Sequence, residues 1–254
     1  MTGRWSRRAV LTVPLSLSLA SARAFAFGDG GAFHPRLLRA GNHPPLGVRS
    51  SGAGRWSWEL VRRTSAPARL VASEVAADQP ALQAEPFAIW AGDVDPGPLS
   101  VAEVRGLLRF MRLGGVLVVD DSNPASGAFG RGARRELARV LPESAPVRLD
   151  PGHVIFKTFY IVDRPVGRVL GPPEISAIVR GKNTQVLFLQ HDLLGALARS
   201  GEGFALETES GGLDQREHAV RLAVNIAMYV LCSDYKDDQV HAPFLMRRRA
   251  RQKP

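Results

Sequence analysis

The stretch Gly114-Gly115-Val116-Leu117-Val118-Val119-Asp120-Asp121-Ser122-Asn123-Pro124 restricts the fold more than any other part of the chain. Its apolar run does not alternate with polar residues, which suits a strand covered on both faces. The run stops at two carboxylates and a turn, as a central strand does at an open sheet edge. In open α/β sheets, ligands sit beyond the carboxyl ends of such strands. Asp120 and Asp121 therefore stand where a functional site is expected.

The flanking segments predict strands and helices in alternation. His34 to Ala40 reads as a first strand, and residues 41–54, rich in Gly, Pro and Ser, as a loop. Residues 55–63 place Trp56, Leu60 and Arg63 at helical spacing, with the aromatic residues turned to the sheet. Short strands are expected at 68–72 and 87–91, the second ending in Gly92-Asp93. Ser100 and Glu103 form a capping box for a helix with Val104, Leu107, Leu108 and Met111 on its apolar side, closed by Gly114. Beyond the central strand come a loop over 122–130, a basic helix over 131–141 and an irregular apolar stretch, His153 to Tyr160. Two strands follow, 175–180 and 185–190, with a link of hairpin length, and the second ends in His191-Asp192. Asp214 to Leu231 is an amphipathic helix, followed by a polar and then basic tail. This alternation predicts an α/β fold with a mostly parallel central sheet between helix layers. The hairpin leaves open the direction of the strand before His191-Asp192.

A formal charge of +9 suggests nucleic acid until the charges are located. Nine of the 33 basic residues lie before residue 27 or after residue 246, and neither end segment holds an acid. The body between them carries 24 charges of each sign. A neutral body with basic ends is not a nucleic-acid surface, so no nucleic-acid partner is expected. The single cysteine, Cys232, excludes an internal disulfide and a thiolate metal cluster; in its apolar helical run it is expected to be a buried inert thiol.

Residues 1–26 read as an export signal. Arg4, Arg7 and Arg8 form a basic segment, Ala9 to Ala20 an apolar one, and small residues flank cleavage points near Ala24 or Ala26. The apolar segment is too short to span a bilayer. Ser6-Arg7-Arg8-Ala9-Val10-Leu11 resembles the twin-arginine export motif; an ordinary secretory signal carrying two arginines is the alternative. Either route leads to a periplasmic or otherwise exported protein. A single domain is expected over 33–242, and a basic, unstructured tail over 243–254 that could touch anionic membrane weakly.

Three apolar strands end in polar residues: Asp93, then Asp120-Asp121, then His191-Asp192. On parallel strands these groups would share one sheet edge. There Asp93, Asp120, Asp121 and His191 could hold a divalent metal, or Asp120, Asp121, His153, His191 and Asp192 could do acid–base work. The alternative is that each Asp caps a helix or makes a turn, which is the commoner use. For His153 the simpler reading is a buried histidine bonded to a carbonyl, and His218 falls on a solvated helix face. No nucleophile elbow, phosphate loop, dinucleotide fingerprint or zinc-protease motif occurs, and no residue set identifies a cofactor.

Several stretches together resemble one family: Phe33 to Leu37, Gly114 to Asp121, His153 to Tyr160, Ala219 to Ile226, and Tyr235 to His241. In this order they are similar to the bacterial domain of unknown function 4159 over about residues 33–242. The resemblance implies a three-layer α/β/α sandwich, flavodoxin-like and similar to class I glutamine amidotransferases. It implies no activity. Relatives fused to membrane-anchored domains, or encoded near MoxR-type ATPases and von Willebrand A-type proteins, point to assembly work with an envelope protein partner. True glutamine amidotransferases carry a cysteine nucleophile on a strand-to-helix turn, whereas Cys232 lies in the last helix. The expected function is a non-catalytic binding or assembly module, with a hydrolase at the Asp120-Asp121 strand end as the alternative.

Overall fold

The computed structural model describes residues 31–181 and 183–250, with side chains as far as Ser233. Seven strands form one sheet: β1 (Arg36–Arg39), β2 (Ser73–Ala76), β3 (Phe87–Gly92), β4 (Val116–Asp121), β5 (Val147–Arg148), β6 (Ser176–Arg180) and β7 (Asn183–Leu189). The helices are α1 (Ser51–Thr64), α2 (Val101–Arg112), α3 (Ala128–Val140), α4 (Leu193–Leu197) and α5 (Gly212–Ala250). Across the sheet the order is β2-β1-β3-β4-β7-β6-β5. The first five of these are parallel; β6 runs antiparallel to β7, and β5 to β6. The fold is α/β with a mostly parallel central sheet.

Period-two alternation divides the core. Val116 and Val118 of β4, with Phe87 and Ile89 of β3, pack among Trp56 of α1, Leu194 of α4 and Leu222 of α5. Leu117 and Val119, with Ala88 and Trp90, pack among Leu107 and Phe110 of α2 and Leu137 of α3. Every residue of β3 and β4 is buried, which is why their sequences show no alternation. Trp56 also donates its indole N–H to the Ala223 carbonyl at 2.7 Å, tying α1 to α5.

The capping box forms as expected. Ser100 Oγ accepts from the Glu103 N–H at 3.2 Å, and the Glu103 carboxylate accepts from the Ser100 N–H at 2.7 Å. Gly114, at φ 88°, takes the left-handed turn between α2 and β4.

Four local expectations are corrected. Helix α1 begins at Ser51, after a 3-10 turn at Gly47–Ser50, so Gly52 and Gly54 are helical rather than loop. Gly52 is needed there because a Cβ would overlap the Leu194 carbonyl of α4. The edge strand lies at 73–76, not 68–72; Ala68 makes only an isolated bridge to Phe33. Helix α3 starts at Ala128, before its first arginine. Cys232 is exposed, because the apolar residues around it turn the other side of α5 to the core.

The irregular segment after β5 is ordered by one side chain. Asn225 of α5, fully buried, accepts from the Phe159 and Tyr160 N–H groups and donates to the Ile155 and Tyr160 carbonyls, at 2.8–3.2 Å. All its donor and acceptor capacity is used, as a buried amide requires. Among the described residues, no helix is long and apolar enough to cross a membrane. The expected export signal and residues 251–254 lie outside the described residues, whereas residues 243–250, expected as unstructured tail, continue the α5 helix.

Candidate functional site

The carboxyl ends of β3, β4 and β7 lie side by side, because all three strands are parallel. Ala91 pairs with Asp120, Gly92 with Asp121, and Asp120 with Leu189. The antiparallel member of the hairpin is β6, so His191-Asp192 does reach the same edge as Asp120-Asp121. Ser122 N–H donates to the Gly92 carbonyl at 2.8 Å and Asp192 N–H to the Asp121 carbonyl at 3.2 Å, joining the three strand ends.

Adjacent aspartates on a strand point to opposite faces. Asp120 turns to α4 and accepts from the Leu193 and Leu194 N–H groups, both at 2.8 Å. Asp121 turns to α3 and accepts from the Asn123 N–H at 3.0 Å and the Gly130 N–H at 3.1 Å. Asp120 thus serves two unpaired N–H groups at the start of α4, and Asp121 one at the start of α3 and one in the loop before it. Burial raises both carboxyls. Asp120 is pushed up to about 7, by desolvation first and the Asp192 charge second, against the opposing pull of its two N–H bonds. Asp121 is raised by desolvation, opposed by its own N–H bonds.

Asp192 is the hub of the edge. It is fully buried, at φ 49°, and caps α4 by accepting from the Gly195 N–H at 3.1 Å. Arg49, just before α1, holds it with Nε at 2.9 Å and Nη2 at 3.0 Å, and Arg168 Nε binds its Oδ2. The Asp192 hydrogen bond raises the Arg49 pKa and so keeps that charge in place. The charges of Asp120 and Asp93 also act on Arg49.

His191 is buried beside this hub but does no proton chemistry in this arrangement. Its Nε2 lies 2.8 Å from the Pro172 carbonyl and its Nδ1 accepts from the Gln190 N–H at 3.2 Å. Both contacts require the neutral ring, and burial lowers its pKa to about 4. Gly167 packs so closely on the His191 backbone that a Cβ there would overlap it.

His153 does not join the site. It caps the 3-10 turn Val154–Phe156, its Nδ1 accepting from the Ile155 N–H at 3.3 Å, with Nε2 3.3 Å from Thr184 Oγ1. Thr184 stands at the start of β7 and Asp120 is level with Leu189, so the strand separates them by roughly 16 Å. The imidazole is half-buried, and its ring bonds involve an N–H and a hydroxyl instead of the expected carbonyl. Asp93 is at the right edge, but exposed. Among the described residues, no three His, Cys, Asp or Glu side chains are grouped to hold a metal ion.

Two hollows border the edge. A cleft of about 40 Å³ is lined by Pro44, Pro45, Leu46, Arg49, Gly92, Asp93 and Ser122. Ser122 is 4% exposed and its hydroxyl has no hydrogen-bond partner among the described residues, which costs about 1–3 kcal/mol when a buried polar group is left so. A larger groove of about 530 Å³ lies between the 161–170 segment and the start of α5, with Val166 and Leu170 facing Asp214, His218 and Arg221. Its charged lining faces solvent and is mixed in sign.

A family model for a domain of unknown function, DUF4159, matches residues 49–231. The chain belongs to this family. No curated protein matches the chain. The DUF4159 segment starts at Arg49 and includes every candidate residue from Asp93 to Asp192. The sequence offered Ser122 as a nucleophile only if a histidine reached it, and it gave no sign of a role for Arg49 or Arg168. Arg49 and Asp192 are 143 positions apart, and no local pattern joins them. The available signal was chemical: an aspartate expected in the interior needs a cation.

Proposed function

We propose that this DUF4159 protein is a non-catalytic binding or assembly module of the cell envelope. Its architecture is read as a three-layer α/β/α sandwich of flavodoxin-like, amidotransferase-like kind. The strand order β2-β1-β3-β4-β7, reversing between β1 and β3, supports that reading, as does the division of the core between two helix groups. The observation that carries the functional reading is the state of the polar groups at the sheet edge. Asp120, Asp121 and Asp192 each hold a helix start, and His191 is a locked neutral ring. These four groups build a rigid edge, and each is committed to a structural hydrogen bond. Cys232 is in α5, not on a strand-to-helix turn, so the amidotransferase-like fold would be used without that chemistry.

The binding surface on this reading is the set of loops above the rigid edge, including Pro44 to Leu46 and the segment after β3. The partner is an envelope protein, with weak help from the basic tail at anionic membrane and no role for nucleic acid. Export rests on Arg7 and Arg8 with the apolar segment that follows. Replacing both arginines by Lys is expected to trap precursor in the cytoplasm by the twin-arginine route; normal processing would indicate general secretion.

Turnover tests the central point. Ester and phosphate ester substrates are offered with and without Mg²⁺, Mn²⁺ or Zn²⁺, to wild type and to the Asp120→Asn, Asp121→Asn double variant. Turnover no better than the blank in both is the expected result. Metal-dependent turnover lost in the double variant would establish the hydrolase instead.

A further inference from the structure

We infer that the cleft formed by Arg49, Asp93 and Ser122 binds a compact zwitterion, of which a free α-amino acid is the simplest case. The inference rests on the binding-module reading and names a ligand class for its sheet edge. The cleft is assembled from three separate segments: the loop after β1, the end of β3 and the residue after β4. It lies beside the point where strand order reverses between β1 and β3, the crevice that open parallel sheets use for ligands.

Three groups define what fits. The Ser122 hydroxyl is buried and lacks a partner among the described residues, a costly state that a ligand oxygen would relieve. Arg49 commits Nε and Nη2 to Asp192, and its Nη1 makes no hydrogen bond among the described residues. Asp192 is shared with Arg168, and the charges of Asp120 and Asp93 also act on Arg49. A ligand carboxylate in the cleft would meet Nη1 directly, and Ser122 Oγ once that hydroxyl turns toward it. Asp93, on the same cleft, is exposed and has no ion pair among the described residues. A simple anion would meet its charge unfavourably, and a simple cation would meet Arg49. A molecule with a carboxylate and an ammonium a few bonds apart satisfies both.

Size narrows the class further. About 40 Å³ holds a small polar head and excludes a nucleotide or sugar ring, since drug-sized ligands take roughly 300–1,000 Å³. Pro44, Pro45 and Leu46 supply an apolar wall along which the remainder of the molecule can leave the cleft.

Ligand-observed NMR on the full chain, with glycine, acetate and methylammonium as probes, tests this. Glycine is expected to bind with a dissociation constant of about 1 mM or tighter, and each single-charge probe at least about tenfold more weakly. Asp93→Asn, at an exposed position, is expected to weaken glycine about tenfold and remove its advantage over acetate. Ser122→Val, which fills the cleft, is expected to abolish binding of glycine while amide spectra confirm the fold. No glycine binding, or glycine binding unchanged by Asp93→Asn, would overturn the assignment. Either failure leaves the module reading intact, because that reading is decided separately by the turnover assays.

Discussion

Replacing Asp120 by Asn keeps the side chain's shape and removes its charge, and the consequence depends on pH in a direction the structure fixes. In the wild type, two carboxylate oxygens accept from Leu193 and Leu194 N–H, each at 2.8 Å. An amide offers one oxygen, so one buried N–H loses its acceptor, at about 1–3 kcal/mol. Against this stands the cost of burying the carboxylate charge. Folded Asp120 titrates near 7, while the unfolded chain titrates at the ordinary 3.8. Between those values the unfolded chain has released a proton that the folded protein keeps. Wild-type stability therefore falls as pH rises through this window and levels off above it, by on the order of 4 kcal/mol in full. The Asn variant has no such proton. Relative to wild type, the variant should thus gain stability as pH rises from about 4 to about 8. Urea unfolding of both proteins across this range measures the difference, and titrations common to both cancel. A penalty that grows with rising pH would show that the α4 N–H groups hold Asp120 ionised, and would refute the dominance of desolvation.

Asp121→Ala leaves the Asn123 and Gly130 N–H groups without their acceptor and should lower stability by about 2 kcal/mol, read from the denaturant midpoint. Gly52→Ala drives a Cβ into the Leu194 carbonyl and should cost about 1–3 kcal/mol by separating α1 from α4; an unchanged midpoint would mean the helices can shift apart freely. The His191 ring should stay neutral in nitrogen-detected NMR from about pH 8 to about pH 5, since burial holds its pKa near 4; protonation inside that range would show the Pro172 contact to be misread.

The sequence by itself determined the central strand, the capped helix before it and the mostly parallel sheet. Each of those depends on neighbours in the chain: an unbroken apolar run, a Ser three residues before a Glu, a glycine where φ must be positive. It left Asp120 and Asp121 together as candidate metal ligands, whereas the structure turns them to opposite faces of the sheet, toward α4 and α3. Errors arose where local composition misled. Gly52 and Gly54 looked like loop, yet the close approach of α4 requires small residues within a helix. Only the tertiary structure decided which candidates meet. It brought His191 and Asp192 to the edge through the parallel pairing of β7 with β4, and sent His153 to the other end of that strand. It also supplied Arg49 and Arg168 to Asp192 and left Ser122, in a narrow cleft, without a partner among the described residues. Those facts depend on contacts between distant residues, whose energies come from burial and charge rather than from any periodicity along the chain.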